Sequence, residues 1–173
     1  MDVRSSRRLE ERLGLRFPGV VAILDRLLWR LPPDSRLRQA VLRRLLKQGH
    51  EALNRGDFEV AFARYDPQVE LVSDSRFVGL GFDGVYHGRT ERIRFQERWV
   101  AEWGDFRFAP EEFIDFGDGR LFVHGRIVGS GRSSGAGFDS DWAALLTVSG
   151  ARVVREQFFF DRADALEAAG LRE

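Results

Sequence analysis

The stretch ALNRGDFEVAFARYDPQVEL, residues 52–71, decides the fold because it changes from a helical pattern to a strand pattern over a short length of chain. Asn54 or Gly56 can end a helix in a left-handed conformation, and Asp57 can cap the helix that follows. That second helix is short and has an aromatic face formed by Phe58, Ala61, Phe62 and Tyr65. Pro67 ends it, and the alternation of apolar and polar residues after Pro67 predicts a strand.

Two longer helices are predicted before this corner. Residues 17–31 carry apolar side chains at helical spacing, and Pro32 ends the first helix. A second amphipathic helix, capped by Asp34 or Ser35, is predicted to extend to about Leu53. The chain therefore begins with helices and turns to strands only after the corner.

Residues 1–16 are polar and weakly periodic, and they are predicted to be frayed. We divide the chain into an N-terminal basic amphipathic extension, residues 1–45, and a following domain, residues 46–173. The apolar residues of the extension should be mostly buried against the domain or a partner chain. These residues are Leu27, Leu28, Leu31, Leu42 and Leu45.

The second half of the chain is dominated by strands. Residues 73–88 are rich in Gly, Asp and Ser and are predicted to form a loop, and residues 91–103 a helix. Four strand-like runs follow, FRFAPEEFIDF, RLFVHGRIVGSG, FDSDWAALLTV and RVVREQFFFD. Short turn segments separate them, which favours an antiparallel meander. The sequence thus predicts an α+β fold with helices packed on one face of a curved antiparallel sheet.

Composition excludes several kinds of site. The chain has no cysteine, which removes disulfides, thiolate zinc sites and a cysteine nucleophile. His50, His87 and His124 lack ligand spacing, and no glycine-rich phosphate loop opens a helix. We therefore expect no metal and no cofactor. The apolar runs are too short to span a membrane and no signal peptide is recognised, so a cytoplasmic location is expected.

Charge is distributed unevenly along a chain whose net charge is zero. Residues 1–49 hold 12 basic and 5 acidic side chains, and the remainder is acidic by the same excess. A basic amphipathic helix can lie on an anionic membrane or contact nucleic acid. Its apolar face can equally pack against the domain or a second subunit. We prefer packing, because a charged outer face is the normal condition of a helix, and expect neither a membrane nor a nucleic acid as partner.

Five segments together resemble the SnoaL-like branch of the nuclear transport factor 2 superfamily. They are ALNRGDFEVAFARYDPQVEL, GVYHGRTERIRFQERWVAEW, EEFIDFGDGRLFV, GSGRSSG and RVVREQFFFDRADALEAAG, within residues 46–171. The resemblance implies a cone-shaped fold in which a strongly bent sheet wraps helices around a deep pocket. It also implies homodimers formed through the sheet. Members include polyketide cyclases, ketosteroid isomerases, epoxide hydrolases and domains without catalysis, so the fold alone does not give the function.

The catalytic residues of two of these enzymes do not carry over. The isomerase's tyrosine, base and neutral aspartate fall by motif alignment at Gly49, Ser73 and near Ala143, and none matches. The epoxide hydrolase pattern, Arg-x-Asp on one strand with an Asp on another, lacks its first aspartate, because Ile127 and Val128 follow Arg126. The nearest carboxylates are Asp74, one residue from Ser73, and Asp141, two residues from Ala143.

These two aspartates are the candidate catalytic residues. Asp141 lies two residues from the family position, and a shift of two keeps the same face of a strand, so we expect it to face the aromatic interior with a raised pKa. The alternative is a residue in solvent or paired with an arginine. Asp74 can act as a base at the mouth of a pocket, but a role in the turn is the favoured interpretation. His124 and Arg126 are expected to point outward.

Aromatic residues are the firmest functional signal. The candidate ligand-binding residues are Phe62, Tyr86, Trp99, Trp103, Trp142 and Phe159. They can line a mainly apolar pocket for a small hydrophobic molecule. Two functions stay open: a cofactor-independent acid–base enzyme, such as an isomerase, cyclase or hydratase, and a non-catalytic ligand-binding or dimeric assembly domain. An open pocket with Asp141 inside would favour the first.

Overall fold

The computed structural model of the protein describes residues 6–132 and 135–171. The helices are α1 (Leu9–Arg16), α2 (Pro18–Trp29), α3 (Arg36–Asn54), α4 (Phe58–Ala61), α5 (Ser75–Gly79), α6 (Arg89–Ala101) and α7 (Arg162–Ala168). The strands are β1 (Tyr65–Val72), β2 (Val85–His87), β3 (Trp103–Asp115), β4 (Arg120–Gly131), β5 (Gly137–Ser149) and β6 (Arg152–Phe159). Helices therefore come first and long strands last, as predicted.

The six strands form one curled, unclosed sheet in the order β2-β1-β6-β5-β4-β3. Every neighbouring pair is antiparallel except β1 and β6. The predicted meander is β3 to β6, which confirms the α+β fold. The segment expected to be a loop, residues 73–88, contains α5 and β2 instead. The turn between β4 and β5 includes residues 133 and 134, which lie outside the described part.

The corner between α3 and β1 has the predicted turn and cap, but α4 is shorter than predicted, and β1 already includes Pro67, which was expected to end the helix. Gly56 has a positive φ of 78°, and the Asp57 carboxylate accepts a hydrogen bond from the Val60 amide at the start of α4. The Arg7 guanidinium donates two hydrogen bonds of 2.8 Å to the same carboxylate. Burial opposes ionisation of Asp57, but Arg7 outweighs it and lowers the pKa of Asp57.

The two faces of the sheet are covered differently, because alternate residues of a strand point to opposite faces. The inner face packs against α3 and α6 through the main core, which includes Leu121, Val123, Ile127, Trp142 and Leu146. The outer face packs against α7 through a smaller cluster of Phe122, Ala143, Ala165 and Leu166. Helices thus cover both faces of β5, although the sequence predicted them on one.

The pairing of β3 with β4 shifts register between Pro110 and Glu112, opposite Gly125 of β4. A Cβ atom on Gly125 would overlap the Ala109 carbonyl oxygen. Only glycine lets the two strands approach this closely, so the local strand geometry depends on that residue.

A buried ion pair joins α3 to the sheet. Arg38 donates to Asp115 through Nε at 2.8 Å and Nη2 at 3.0 Å. Its Nη1 also donates to the Leu31 carbonyl, and its guanidinium stacks over the Trp29 ring at 4.6 Å. This contact fixes the turn between α2 and α3 against the end of β3.

The extension departs from prediction in two respects. Residues 9–16 form α1, with the Arg8 amide donating to the Glu11 carboxylate at 2.8 Å, whereas fraying was predicted; residues 1–5 lie outside the described part. Leu28 and Leu42 are buried as predicted. Leu27, in contrast, is 52% exposed and does not pack against the domain. Leu31 and Leu45 are partly buried against the main core.

Candidate functional site

Asp141 does not face the aromatic interior, so the orientation expected from strand parity is wrong. It lies on the outer face of β5, and its side chain is 44% exposed. The carboxylate accepts a 2.8 Å hydrogen bond from Arg126 and lies 3.7 Å from His124 Nε2. The alternative interpretation, a carboxylate paired with an arginine, describes this residue.

Asp74 is engaged in structural hydrogen bonds. Its carboxylate caps α5 by accepting from the Arg76 amide at 2.9 Å, and it also accepts from the Phe160 amide at 3.1 Å. The Arg76 side chain completes the arrangement with a further 2.9 Å hydrogen bond. Burial opposes ionisation, but these donors outweigh it and lower the pKa of Asp74. A carboxylate held this way is a weak base.

A groove with a volume of about 300 Å³ opens beside Asp74. Ser73, Phe159 and Asp164 line other parts of it. Two carboxylates therefore border the groove: Asp74, which caps α5, and Asp164, which lies in the first turn of α7.

The predicted aromatic residues lie in four different places. Phe62, Trp99 and Trp142 are nearly fully buried in the main core. Tyr86 packs its ring on Phe95 and accepts a hydrogen bond from the Asp83 amide at 2.8 Å, so it lies at the edge of the core. Trp103 stacks on Phe138 at 4.2 Å at the start of β3. Phe159 belongs to the outer cluster beneath α7.

Charged side chains lie inside the aromatic core, and sequence analysis did not single them out. Arg92 of α6 donates to Glu156 of β6 through Nε at 2.6 Å and Nη2 at 3.1 Å. Both side chains are about 5% exposed. The guanidinium also stacks over the Phe62 ring at 4.2 Å. Burial favours the neutral form of Arg92, but Glu156 outweighs it and raises the pKa of Arg92, so the guanidinium stays charged.

Two further side chains extend this pair into a network. Tyr65, at the start of β1, hydrogen bonds through its hydroxyl to Glu156, and burial together with the Glu156 charge raises its pKa well above the ordinary value. Gln96 lies one turn after Arg92 on α6, and its Oε1 accepts from Arg92 Nη1 at 3.1 Å. Glu156 therefore accepts hydrogen bonds from both Arg92 and Tyr65.

His50 is the group of this region that is suited to move a proton. Its Nδ1 lies 2.8 Å from the Leu46 carbonyl oxygen, which can only accept, so Nδ1 carries the hydrogen and Nε2 keeps its lone pair. The ring lies 5.1 Å from the Trp142 ring and within electrostatic range of Glu156. Burial lowers the pKa of His50, although Leu46 and Glu156 act in the opposite direction. The imidazole is thus neutral at pH 7.

Buried hydrogen-bond donors without a partner mark the same interior. Gln96 Nε2 and Trp142 Nε1 have no acceptor among the described residues, and Trp103 Nε1 is a third such donor at the start of β3. A buried donor left unpaired costs about 1–3 kcal/mol, so such groups need an explanation. We use the name interior polar cluster for the following residues: His50, Tyr65, Arg92, Gln96, Trp142 and Glu156.

The sequence did contain a signal for this cluster. Arg92, Gln96 and Trp99 recur at i, i+4 and i+7, so the two polar residues share the face of α6 that carries Trp99. Glu156 likewise has the strand parity of Phe158, which is buried in the main core. Among the described residues, no group of three or more His, Asp or Glu side chains is arranged to hold a metal ion.

Comparison with known proteins places this geometry in a family. The profile of the SnoaL-like domain matches residues 46–156, which is more than half of the chain. The chain belongs to the SnoaL-like family. The match begins inside α3 and ends at Glu156, so the interior polar cluster of this SnoaL-like domain lies within the family region. None of the curated proteins matches the sequence.

Solved structures share the fold of this SnoaL-like chain. An NTF2-like protein of unknown function from Burkholderia pseudomallei K96243 is 24% identical, with a TM-score of 0.62 over 72% of this chain and 94% of that one. TerC, co-crystallised with polyporic acid, is 24% identical, with a TM-score of 0.60 over 75% and 98%. A putative SnoaL-like polyketide cyclase from Jannaschia sp. CCS1 is 19% identical, with a TM-score of 0.59 over 83% and 98%. At these identities the likeness shows the cone fold and not the activity.

Proposed function

We propose that the protein binds a small, largely apolar molecule bearing a carbonyl or enol oxygen inside the cone, and that His50 exchanges a proton with it. The observation that carries the proposal is the coincidence of a neutral imidazole with buried, unpaired donors of Gln96 and Trp142. The aromatic surroundings suit an apolar ligand, and each of the two donors is available to a ligand oxygen atom.

The reaction class that fits these groups is proton abstraction next to a carbonyl. His50 Nε2 takes the proton from the α-carbon, and the electron pair of the broken C–H bond forms the enolate. Hydrogen bonds from Gln96 Nε2 and Trp142 Nε1 stabilise the charge that develops on the oxygen. Return of the proton to another carbon isomerises the molecule, and attack of the enolate carbon on a second carbonyl cyclises it.

The descriptions of two structural relatives agree with this class of ligand. TerC was crystallised with polyporic acid, and the Jannaschia protein is described as a putative polyketide cyclase. Their low identity limits the comparison to the fold, so the proposal is based on the interior polar cluster.

The test separates binding from proton transfer. 2-Tetralone in D₂O provides a small aromatic ketone whose α-deuteration is followed by NMR, and 2-naphthol provides a planar analogue of its enol. We expect His50→Gln to slow deuteration by about a hundredfold or more while 2-naphthol affinity stays within a few-fold. Gln96→Leu should weaken 2-naphthol binding. Asp141→Asn, on the outer face, is the matched control and should change neither quantity.

Each other outcome has a consequence. One such outcome is that the wild type binds 2-naphthol and Gln96→Leu weakens that binding, while 2-tetralone is deuterated no faster than in buffer. In that case the non-catalytic binding function replaces the enzymatic one. That second function has support from Glu156, which already accepts hydrogen bonds from Arg92 and Tyr65 and is not free for chemistry. If the wild type neither binds 2-naphthol nor speeds the deuteration of 2-tetralone, the proposal is wrong. Homodimerisation stays a separate prediction.

A further inference from the structure

The N-terminal helices expose an unusual amount of apolar surface. Of the thirteen large apolar residues that are exposed among the described residues, eight lie between residues 9 and 37. Five of them form what we call the α2 patch: Phe17, Val20, Ile23, Leu24 and Leu27, each about half exposed or more. Phe17, Val20, Leu24 and Leu27 recur at i, i+3, i+7 and i+10, so the patch is one continuous strip along α2.

The opposite side of α2 is attached to the domain. Leu28 is buried in the main core. Asp25 is also buried, and it accepts a 3.0 Å hydrogen bond from Arg64. The helix is therefore held in place by one face, and the α2 patch points away from the fold as part of its native structure.

Charges on the extension are segregated by sign. Each described acidic residue of α1 and α2 is paired with an arginine that lies outside these two helices: Glu10 with Arg44, Glu11 with Arg55 and Asp25 with Arg64. The arginines Arg16, Arg26 and Arg30 are exposed, and no described carboxylate lies within ion-pair distance of them. The outer surface of the extension therefore combines apolar and cationic side chains and carries little negative charge.

We propose that the α2 patch binds an anionic lipid surface, with the helix lying in the plane of the headgroups. A lipid surface offers both an apolar layer for the patch and negative charge for Arg16, Arg26 and Arg30. A second copy of the chain fits less well, because a two-fold interface brings each patch against itself and places these arginines beside their own counterparts. This is association with a surface: among the described residues, no helix is long and apolar enough to cross a bilayer.

Leu27 was expected to be buried against the domain or a partner chain, and within this chain it is half exposed instead. The proposal is independent of the interior polar cluster, because none of the residues of that cluster lies on α1 or α2.

Vesicle flotation of the full chain tests the proposal. The probes are vesicles of phosphatidylcholine alone and vesicles in which about one-third of the lipid is phosphatidylglycerol. We expect binding to the anionic vesicles that is at least about tenfold tighter than to the neutral ones and that weakens with added salt. Leu24→Glu should lower this binding about tenfold or more, and the double change Arg26→Gln with Arg30→Gln should lower it by roughly tenfold to thirtyfold.

Matched variants control for exposure and charge. Leu80→Glu changes a leucine that is equally exposed but lies next to α5, and Arg107→Gln removes an exposed arginine of β3. Both should bind anionic vesicles like the wild type, and all variants should keep the wild-type circular dichroism spectrum. Absence of vesicle binding, or equal loss in Leu80→Glu and Leu24→Glu, would overturn the proposal. A dimer in sedimentation velocity that Leu24→Glu dissociates, without vesicle binding, would assign the α2 patch to a second copy.

Discussion

Neutralising Glu156 should destabilise the protein strongly, because Glu156 compensates a buried arginine. Its carboxylate accepts hydrogen bonds of 2.6 and 3.1 Å from Arg92, and the Tyr65 hydroxyl bonds to it as well. In Glu156→Gln one carboxylate oxygen becomes an amide NH₂ group, which faces an N–H donor of Arg92. The guanidinium then stays charged in an aromatic interior without a counter-charge.

The magnitude follows from burial. Removing one partner of a buried ion pair costs about 3–5 kcal/mol, which is a large fraction of the roughly 5–15 kcal/mol that stabilises a typical domain. For a chain of this size each kcal/mol lowers Tm by roughly 2–4 °C, so Glu156→Gln should melt about 6–20 °C below wild type. Replacing both partners, as in Arg92→Met with Glu156→Leu, should cost less than the sum of the single changes, since no isolated charge remains.

Urea unfolding followed by tryptophan fluorescence, together with calorimetry, measures these differences. Glu112→Gln is the matched control, because Glu112 also accepts two hydrogen bonds from one arginine, Arg162, at 2.8 and 3.2 Å. That pair is about one-third exposed, so its loss should cost no more than about 1 kcal/mol. If Glu156→Gln lowers the free energy of unfolding no more than Glu112→Gln does, the Arg92–Glu156 pair does not stabilise the packing of α6 on the sheet, and the reasoning fails.

Two further predictions concern titration and capping. Burial lowers the pKa of His50 in the folded protein, so the unfolded chain binds more protons than the folded chain at pH values between the folded and the ordinary pKa. The stability that depends on neutral His50 is therefore complete above about pH 6.5 and is lost as the pH falls through the folded pKa. The urea midpoint of wild type should therefore fall more steeply with acidification than that of His50→Gln, and parallel curves would contradict the lowered pKa. Asp74→Ala should cost about 1–2 kcal/mol through loss of the α5 cap and the acceptor for Phe160, with 2-naphthol binding unchanged; a large loss of binding would instead return Asp74 to the site.

The fold was predictable because its signals are local. The Gly56–Asp57 corner needs a left-handed residue followed by a cap, and both are visible in the sequence. Turn residues between long apolar runs similarly predict the strands β3 to β6. The parallel pairing of β1 with β6 was not predictable in this way, since it joins segments far apart in the chain and leaves no local pattern.

The orientation of Asp141 failed for a physical reason. Residues 142–146 of β5 are all buried, because the main core covers one face of the strand and α7 covers the other. Alternation of apolar and polar residues, which normally distinguishes inside from outside, is therefore lost there. Ala143 and Asp141 do share a face, as parity requires, but it is the outer one.

The interior polar cluster suggests what charge its ligand carries. Arg92 and Glu156 cancel, and His50 is neutral, so the cluster has no net charge before a ligand enters. A charged ligand would bring an uncompensated charge into an aromatic interior, at a cost of several kcal/mol, whereas a neutral carbonyl compound would not. Proton transfer to His50 then produces an imidazolium and an enolate together, which preserves the net charge of zero. A panel of neutral ketones and the corresponding carboxylic acids should accordingly show tighter binding of the ketones, and a preference for the carboxylates would mean that a cation other than Arg92 serves the ligand.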